Sequence, residues 1–382
     1  MFIFGIFYAW PEENMDKNAL RWYRVKGILF RMFFIYLCTA SQVAYNFTVT
    51  TREELFEGSF VLLTQLVLIM KMEFFYKNIS KIQHLVRRLE GELYKSRNSE
   101  EDVPLLQARK KTTTFWTVYF IFSDGLVVQW LVIFHIYYKM IVPAWPTVDR
   151  YSPSWAFETV IFYQFFSILL NASFNISWDS LVAALLALTN AHLHRLEIQL
   201  KKVSAIIYVR PLNEDGSRVE RKSNEDVYND LMRCIVFHQE LTGFLRDVLN
   251  LFGGPILAQL CCSVFILCIT EFRLLTDVNT TEDIIRAVSY LMCLIIQVVQ
   301  YCYFGNEVNY MSHKVHEATA FMNYPDMDIR TRKLLIAFQM FTSKGILCTV
   351  KKVFYIELSM ATFVTIIKTS YSYLAVLRSM TD

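Results

Sequence analysis

Seven separate stretches of this chain are apolar over about 20 residues. A helix of that length crosses the hydrocarbon core of a bilayer, and within that core only helices and closed barrels satisfy their backbone hydrogen bonds. The chain is therefore predicted to be an all-α, polytopic membrane protein with seven transmembrane helices. The predicted spans are Ile28–Thr50, Leu55–Tyr76, Phe115–Ile141, Trp155–Asp179, Gly253–Thr276, Ile284–Gly305 and Phe354–Leu377.

The composition agrees with this class. Of the 382 residues, 54% are hydrophobic and 19% are charged, whereas about a quarter of the residues of a soluble domain are charged. A soluble, all-helical protein is the alternative, and the length of the apolar runs decides against it. The net charge of +3 gives no indication of a nucleic-acid partner.

The sequence offers no constellation for catalysis. No nucleophile–base group, phosphate-binding glycine loop or CxxC pair occurs, so we expect neither an enzyme nor a cofactor. Two histidine pairs could suggest a metal, but neither has a clear third ligand. These pairs are His192 with His194 and His313 with His316. We therefore predict no metal site.

Lysine and arginine are concentrated in alternate loops. The segments before the first span and between spans two and three, four and five, and six and seven hold 4, 9, 9 and 7 of the 38 lysines and arginines. Because cytoplasmic loops carry the excess of these residues, the N-terminus is predicted to be cytoplasmic and the C-terminus extracellular. This topology places Asn279, in the sequence Asn-Thr-Thr, outside the cell as a candidate glycosylation site.

Amphipathic stretches continue spans four, five and six beyond the membrane on the cytoplasmic side. Gly253-Gly254-Pro255 predicts a kink at the start of the fifth span. The expected organisation begins with a cytoplasmic segment in 1–27 and spans one to four in 28–179. The extensions of spans four and five follow in 180–252, with a flexible loop at 210–225, and spans five and six occupy 253–305. A further extension with an amphipathic helix lies in 306–353, and the last span lies in 354–380.

Small hydroxyl residues form a stripe along the last span. They recur at helical spacing on an otherwise apolar helix, and the stripe comprises Ser359, Thr362, Thr365, Thr369, Ser372 and Ser379, with Val376 at the same spacing. Such a stripe indicates either close packing against another helix or the wall of a water-filled pore with an apolar gate. The stripe alone favours packing, since packed interfaces of this kind are common.

Lys71, Asp124 and Lys368 are charged residues inside the predicted spans that need an explanation. Lys71 and Asp124 lie at similar depth, and we predict that they pair, because unpaired charges in the membrane are costly. The alternative is that each side chain extends separately to the inner surface. Lys368 sits about one residue off the hydroxyl stripe, and we predict that it points away from any pore.

Seven spans also suggest a G-protein-coupled receptor, and Asp149-Arg150-Tyr151 follows the third span. In that class the tripeptide lies on the cytoplasmic side, whereas the charge bias places it outside here. The flanking prolines Pro143, Pro146 and Pro153 also prevent a continuing helix at this point. We therefore disfavour this class. No inverted repeat indicates a transporter.

Several segments resemble the insect odorant receptors. Lys368–Leu374 (Lys-Thr-Ser-Tyr-Ser-Tyr-Leu) is similar to the closing helix of that family, and Tyr301–Val308 is similar to the end of its sixth span. The other similar segments are Arg332–Leu335, Val350–Phe354 and the proline-bearing loop Val142–Pro153. Gustatory receptors have the same topology and remain an alternative, but Tyr373–Arg378 lacks the Gln-Phe end of their closing helix.

The resemblance implies an odorant-gated, non-selective cation channel in the plasma membrane of olfactory sensory neurons. Members of the family form tetramers with a shared odorant co-receptor subunit, and the last helix of each subunit lines the pore. The resemblance also implies that the cytosolic extensions of spans four to six, with the helix before span seven, form an anchor domain where subunits meet. The pore-lining role implied for the last helix reverses the preference for packing at the hydroxyl stripe. The resemblance places the hydrophobic gate at Val376 and Met380, with Ser379 at the adjoining polar position.

The resemblance also implies a pocket for a small, volatile, mostly apolar odorant in the outer half of the bundle. Such a pocket should be apolar and aromatic with few polar groups. The positions of matching depth on spans two, three, four and six are Phe56, Phe60, Ser123, Leu126, Trp130, Phe162, Phe166, Leu169, Val288 and Met292. Membrane lipid is the other expected partner, because these spans also present apolar residues outward.

Overall fold

The chain folds into a bundle of long helices in a computed structural model. The structure describes residues 17–49, 52–89, 91, 99–136, 140–147, 153–208, 223–276, 281–322, 324–351 and 355–379. The helices are α1 (Lys17–Arg31), α2 (Leu37–Thr48), α3 (Arg52–Arg88), α4 (Ser99–Ile136), α5 (Ser154–Tyr208), α6 (Asn224–Thr276), α7 (Thr281–Ala320), α8 (Ile329–Thr342) and α9 (Met360–Ser379). A π-helical turn, Met32–Tyr36, joins α1 to α2, and the two form the first span.

Three helices are much longer than a bilayer is thick. At 1.5 Å per residue, the 55 residues of α5 extend over about 80 Å, and the 53 of α6 and 40 of α7 over about 80 and 60 Å. The hydrocarbon core is only about 30 Å thick, so each of these helices continues beyond it. The predicted extensions of spans four, five and six are therefore parts of the same helices as the spans.

Five helical segments within the described residues are long and apolar enough to cross a membrane. They are Val25–Thr48, Glu100–Ile136, Trp155–Val203, Asn224–Leu274 and Ala287–Ala320. The other two predicted spans correspond to α3 and α9. Both carry charged or hydroxyl side chains along their length, including Lys71 on α3 and Thr365 on α9.

The core of the bundle is built around an aromatic cluster where α3, α5 and α6 meet. Trp178 is fully buried, and its ring makes edge contacts with Phe74, Phe75 and Phe252 at centroid distances of 5.9, 6.0 and 5.4 Å. Edge-to-face aromatic pairs at these distances stabilise packing beyond the area that they bury. This cluster fixes α5 against its neighbours.

The region before the last helix differs from expectation. We predicted that the last span begins at Phe354, but α9 begins at Met360. Thr349–Lys351 and Tyr355–Glu357 instead form two short antiparallel strands, with Val350 opposite Ile356. The segment is rich in β-branched and aromatic residues, which favour strands over helix. The two strands were absent from the sequence prediction.

A close contact joins α7 to the segment that leads into α9. A Cβ atom placed on Gly305 of α7 would lie 2.4 Å from the carbonyl oxygen of Leu358 and 2.5 Å from its Cβ. Only glycine allows the backbone to approach so closely. Gly253, in the predicted kink, lies within α6, which is one helix from Asn224 to Thr276 with Pro255 inside it.

Candidate functional site

A cavity of about 170 Å³ lies between α3, α4, α5 and α7. Its wall is mostly apolar and aromatic, and α6 and the segment after α4 close part of it. The residues that line it include Val61, Thr64, Gln65, Leu68, Tyr119, Ser123, Leu126, Val127, Trp130, Ile141, Val142, Ile168, Asn171, Ala172, Asn175, Ile176, Thr270, Arg273, Ala287, Tyr290, Cys293, Leu294 and Gln297. An enclosed apolar cavity with a few polar groups is the usual form of a small-molecule site.

Most polar groups of the wall are already hydrogen-bonded. Trp130 donates through Nε1 to Ser289 Oγ at 3.2 Å, and the hydroxyls of Tyr290 and Thr64 bond to each other. Thr270 donates its hydroxyl to the carbonyl oxygen of Ile266. These side chains present mainly their apolar parts to the cavity.

A buried ion pair lies next to the amide groups of the cavity. Lys71 Nζ on α3 is 2.7 Å from Asp179 Oδ1 on α5, and both side chains are fully buried. Lys71 also donates to Asn175 Oδ1 at 2.8 Å, and Asn175 lines the cavity. Our prediction that Lys71 pairs with Asp124 was wrong. Asp124 lies on α4, and its buried Oδ1 has no hydrogen-bond partner among the residues that the structure describes.

The carboxylate of Asp179 extends this ion pair into a hydrogen-bond network that includes α6 and α7. It accepts hydrogen bonds from Gln297 and Tyr301 of α7, both buried. Gln297 in turn accepts from Gln259 Nε2 of α6 at 3.0 Å, and Gln259 donates to Ser263 at 3.1 Å. A buried ion pair is tolerated when further hydrogen bonds satisfy its atoms. The network therefore links α3, α5, α6 and α7 beside the cavity.

Known proteins resemble this chain over nearly its whole length. Residues 51–371 match the family model of the 7tm odorant receptors. Odorant receptor Or1 of Anopheles gambiae is 31% identical over 97% of this chain and 92% of its own length. The chain belongs to the insect odorant receptor family. Odorant receptor 46a, isoform A, of Drosophila melanogaster is 23% identical to this receptor over 85% of the chain and 82% of its own length.

Solved structures share the fold of the receptor. Two structures of the olfactory receptor OR5 from Machilis hrabei superpose with TM-scores of 0.81 and 0.78. They cover 98% and 97% of this receptor and 95% and 93% of their own chains, at 12% sequence identity. The family match decides against the gustatory and G-protein-coupled alternatives, and its members are receptors, not enzymes.

The cavity includes three of the ten residues that we predicted for the odorant pocket, namely Ser123, Leu126 and Trp130, all on α4. The predicted pocket residues on α5 and α7 lie at the depth of the cavity, but their side chains are on other faces of these helices than the residues that line it. Phe162, Phe166, Val288 and Met292 are between 43% and 52% exposed on the outside of the bundle, and Leu169 is half-buried beside the cavity wall. The side chains of Phe56 and Phe60 lie outside the described part of the chain.

Sequence reasoning missed the polar residues of the wall. Asn171, Asn175, Tyr290 and Gln297 lie within apolar runs and face the cavity. Polar side chains inside the membrane almost always face the interior of the bundle. The i, i+4 spacing of Asn171 and Asn175 places them on one face of α5. This spacing would have indicated which face of the helix is directed towards the interior of the bundle.

The last helix of the receptor packs against α6 by the face opposite to much of its hydroxyl stripe. Ile366, Ser370 and Leu374 are buried, and Ser370 Oγ lies 3.4 Å from Glu271 Oε1 of α6. Thr365, Ser372 and Val376 are exposed, and Thr362 and Thr369 are half-buried. The stripe is therefore not the contact of α9 with its own subunit. Lys368 is exposed at the edge of the stripe.

The stripe hydroxyls donate within their own helix. Thr365, Thr369 and Ser372 each donate to the carbonyl oxygen four residues earlier, at 2.9, 2.7 and 2.9 Å. Their protons are thus used, and only oxygen lone pairs remain for other partners. The side chain of Ser379, and Met380 and Asn279 as a whole, lie outside the described residues.

Two histidines of the predicted anchor region are buried against aromatic side chains. Burial lowers the pKa of His192 on α5 and of His238 on α6 to about 4. Both are therefore neutral at physiological pH. The ring of His238 packs against Phe338 and Phe341 of α8, with ring-centroid distances of 5.4 and 5.7 Å. His238 therefore packs where α6 meets α8, and His192 packs against Phe237 where α5 meets α6.

Proposed function

We propose that this receptor is a subunit of an odorant-gated, non-selective cation channel. An odorant binds in the cavity between α3, α4, α5 and α7, and its binding opens a pore lined by α9. The subunit acts in a heterotetramer with the shared odorant co-receptor, in the plasma membrane of olfactory sensory neurons. The observation that carries this proposal is the enclosed, mostly apolar cavity in a member of the odorant receptor family.

The size of the cavity supports a small, mostly apolar ligand. Its volume of about 170 Å³ is close to the roughly 150 Å³ of an engineered apolar cavity that binds benzene. One of the related Machilis hrabei structures is a complex with eugenol. A volatile molecule of similar bulk fits the space between Trp130 and Ile176.

The chemistry of the stripe supports a cation pore. Oxygen lone pairs on Thr365, Thr369 and Ser372 face away from α6 and α7, where copies of α9 from other subunits would surround a common axis. Hydroxyl oxygens that act only as acceptors favour cations over anions. Val376, 56% exposed in the single chain, supplies an apolar ring near the outer end.

The distribution of lysine and arginine supports a cytoplasmic N-terminus and an extracellular C-terminus. With this orientation the long ends of α5, α6 and α7, together with α8, lie in the cytoplasm as an anchor domain. An epitope fused after Asp382 is expected to bind antibody on intact cells. Labelling that requires permeabilised cells would contradict the orientation and the outer position of the gate.

The decisive experiment expresses the receptor in cells with and without the co-receptor and records currents against an odorant panel. We expect odorant-evoked cation currents when the co-receptor is present, without any G-protein component. Currents that depend on a G protein, or an absence of currents although both subunits reach the surface, would overturn the channel proposal.

Replacing Trp130 with alanine is expected to raise the odorant concentration for half-maximal current about tenfold or more, because large buried aromatic contacts dominate recognition. Trp130 lines the cavity and is fixed by its bond to Ser289. Dose–response curves on cells with equal surface receptor measure the effect. Phe166→Ala, on the outer face of α5, is the control and should leave the curve in place.

A further inference from the structure

One buried acceptor in the cavity lacks a donor. Asn171 of α5 is 4% exposed and lines the cavity, and its Oδ1 atom has no hydrogen-bond partner among the described residues. Its Nδ2 atom donates to Gln65 Oε1 at 3.2 Å. Leaving a buried acceptor unpaired is costly, so a site of this kind gains affinity for a molecule that brings a donor.

A donor lies one helical turn away. Asn175 lines the same cavity, and its Oδ1 atom accepts from Lys71 Nζ at 2.8 Å. The ammonium group, held by Asp179 at 2.7 Å, requires the oxygen of Asn175 on its side. The Nδ2 group of Asn175 is therefore left as a donor. Residues four apart share one face of a helix, so acceptor and donor belong to one patch of the wall.

Several other polar groups of the wall are hydrogen-bonded within the protein. Tyr290 bonds to Thr64, Trp130 to Ser289, and Gln297 uses its amide towards both Asp179 and Gln259. Among the described residues of the wall, Asn171 Oδ1 is a buried acceptor without a donor, and the amide group of Asn175 lies one turn along the same face. A hydroxyl group is both donor and acceptor and can serve the two amides at once. An ether or a carbonyl group can only accept.

We propose that Asn171 and Asn175 form a hydroxyl subsite, so that the preferred ligands are small, otherwise apolar molecules with one hydroxyl group. This inference rests on the proposed function and narrows the ligand class of the same cavity. The hydroxyl donates to Asn171 Oδ1 and accepts from Asn175 Nδ2. Apolar residues of the wall, including Val127 on α4 and Ile176 on α5, contact the carbon skeleton. The Lys71–Asp179 pair acts as a positioning group for Asn175.

The test uses alcohols paired with analogues of the same skeleton. Cyclohexanol, benzyl alcohol and 1-hexanol are compared with their methyl ethers and the corresponding carbonyl compounds, on cells that express the receptor with the co-receptor. We expect each active alcohol to reach half-maximal current at about tenfold lower concentration than its ether or carbonyl partner. Ethers or carbonyl compounds as potent as the alcohols would overturn the hydroxyl subsite and leave the channel proposal standing. No current from any compound, with both subunits at the surface, would count against the channel proposal itself.

The Asn171→Leu receptor locates the effect. It removes the acceptor at similar volume, and we expect it to abolish the preference for the alcohol while responses to the ether persist. Ile176→Leu changes the same wall without removing a polar group and should keep the preference. A preference that survives in Asn171→Leu would overturn the assignment. If Asn171→Leu fails to reach the surface, the ratio measured on the unchanged receptor still decides whether the hydroxyl is selected.

Discussion

Replacing Lys71 with methionine is expected to reduce the receptor at the cell surface about tenfold or more. Lys71 and Asp179 are fully buried and 2.7 Å apart, so the change leaves a carboxylate without its counter-charge. Removing one partner of a buried ion pair costs about 3–5 kcal/mol, which is a large part of the stability of most folds. Surface labelling and the thermal stability of the detergent-solubilised receptor measure the loss.

The double variant Lys71→Met/Asp179→Asn separates the ion pair from its surroundings. It removes both charges, and the asparagine amide can still accept from Gln297 and bond to the Tyr301 hydroxyl. We expect it to recover much of the surface level, because neutral replacement of both partners is often tolerated. Lys77→Met, at an exposed position of the same helix, is the control. Equal surface levels for Lys71→Met and Lys77→Met would contradict the role of the pair.

Replacing Val376 with serine is expected to produce current in the absence of odorant. In the proposed pore, Val376 closes the path by excluding water from an apolar ring. The change removes two apolar carbons per subunit, at roughly 0.8 kcal/mol each, so closure is weakened about tenfold even when only one subunit carries it. Whole-cell recordings before odorant application, corrected for surface receptor, measure the effect.

Ala375→Ser provides the matched control for the gate. Ala375→Ser adds a hydroxyl at nearly the same depth, but successive positions of a helix are about 100° apart, so it lies on a different side of α9 from Val376. We expect no resting current from Ala375→Ser. Equal resting currents in the two variants, or none in Val376→Ser, would place the gate elsewhere.

The sequence predicted the helices of this receptor well because their signals are local. Apolar run length gives the spans and helical periodicity gives their extensions, and the structure joins them as α5, α6 and α7. The start of α9 was misplaced because the short apolar run Val353–Ile356 suits a strand as well as a helix. Periodicity alone does not separate the two for a short apolar run.

The cavity was harder to predict because depth in the membrane does not determine the rotation of a helix. Phe166 and Asn171 lie at comparable depth on α5, but the phenylalanine faces outward and the asparagine faces the cavity. The pairing of Lys71 with Asp124 failed for the same reason. Both lie at similar depth, whereas Asp179 faces Lys71 from the inner end of the fourth span. Which side chains meet depends on the packing of the bundle.

The approach of Gly305 to Leu358 bears on how this receptor can diversify. Helix α7 lines the cavity at Tyr290 and touches the lead-in to α9 at Gly305, about 22 Å further along. In the proposed channel, a displacement of the cavity end of α7 would reach the segment before α9 through this contact, which involves the backbone and the Cβ atom of Leu358. In that channel, substitutions near Tyr290 would change which molecules bind while the contact between Gly305 and Leu358 stays intact.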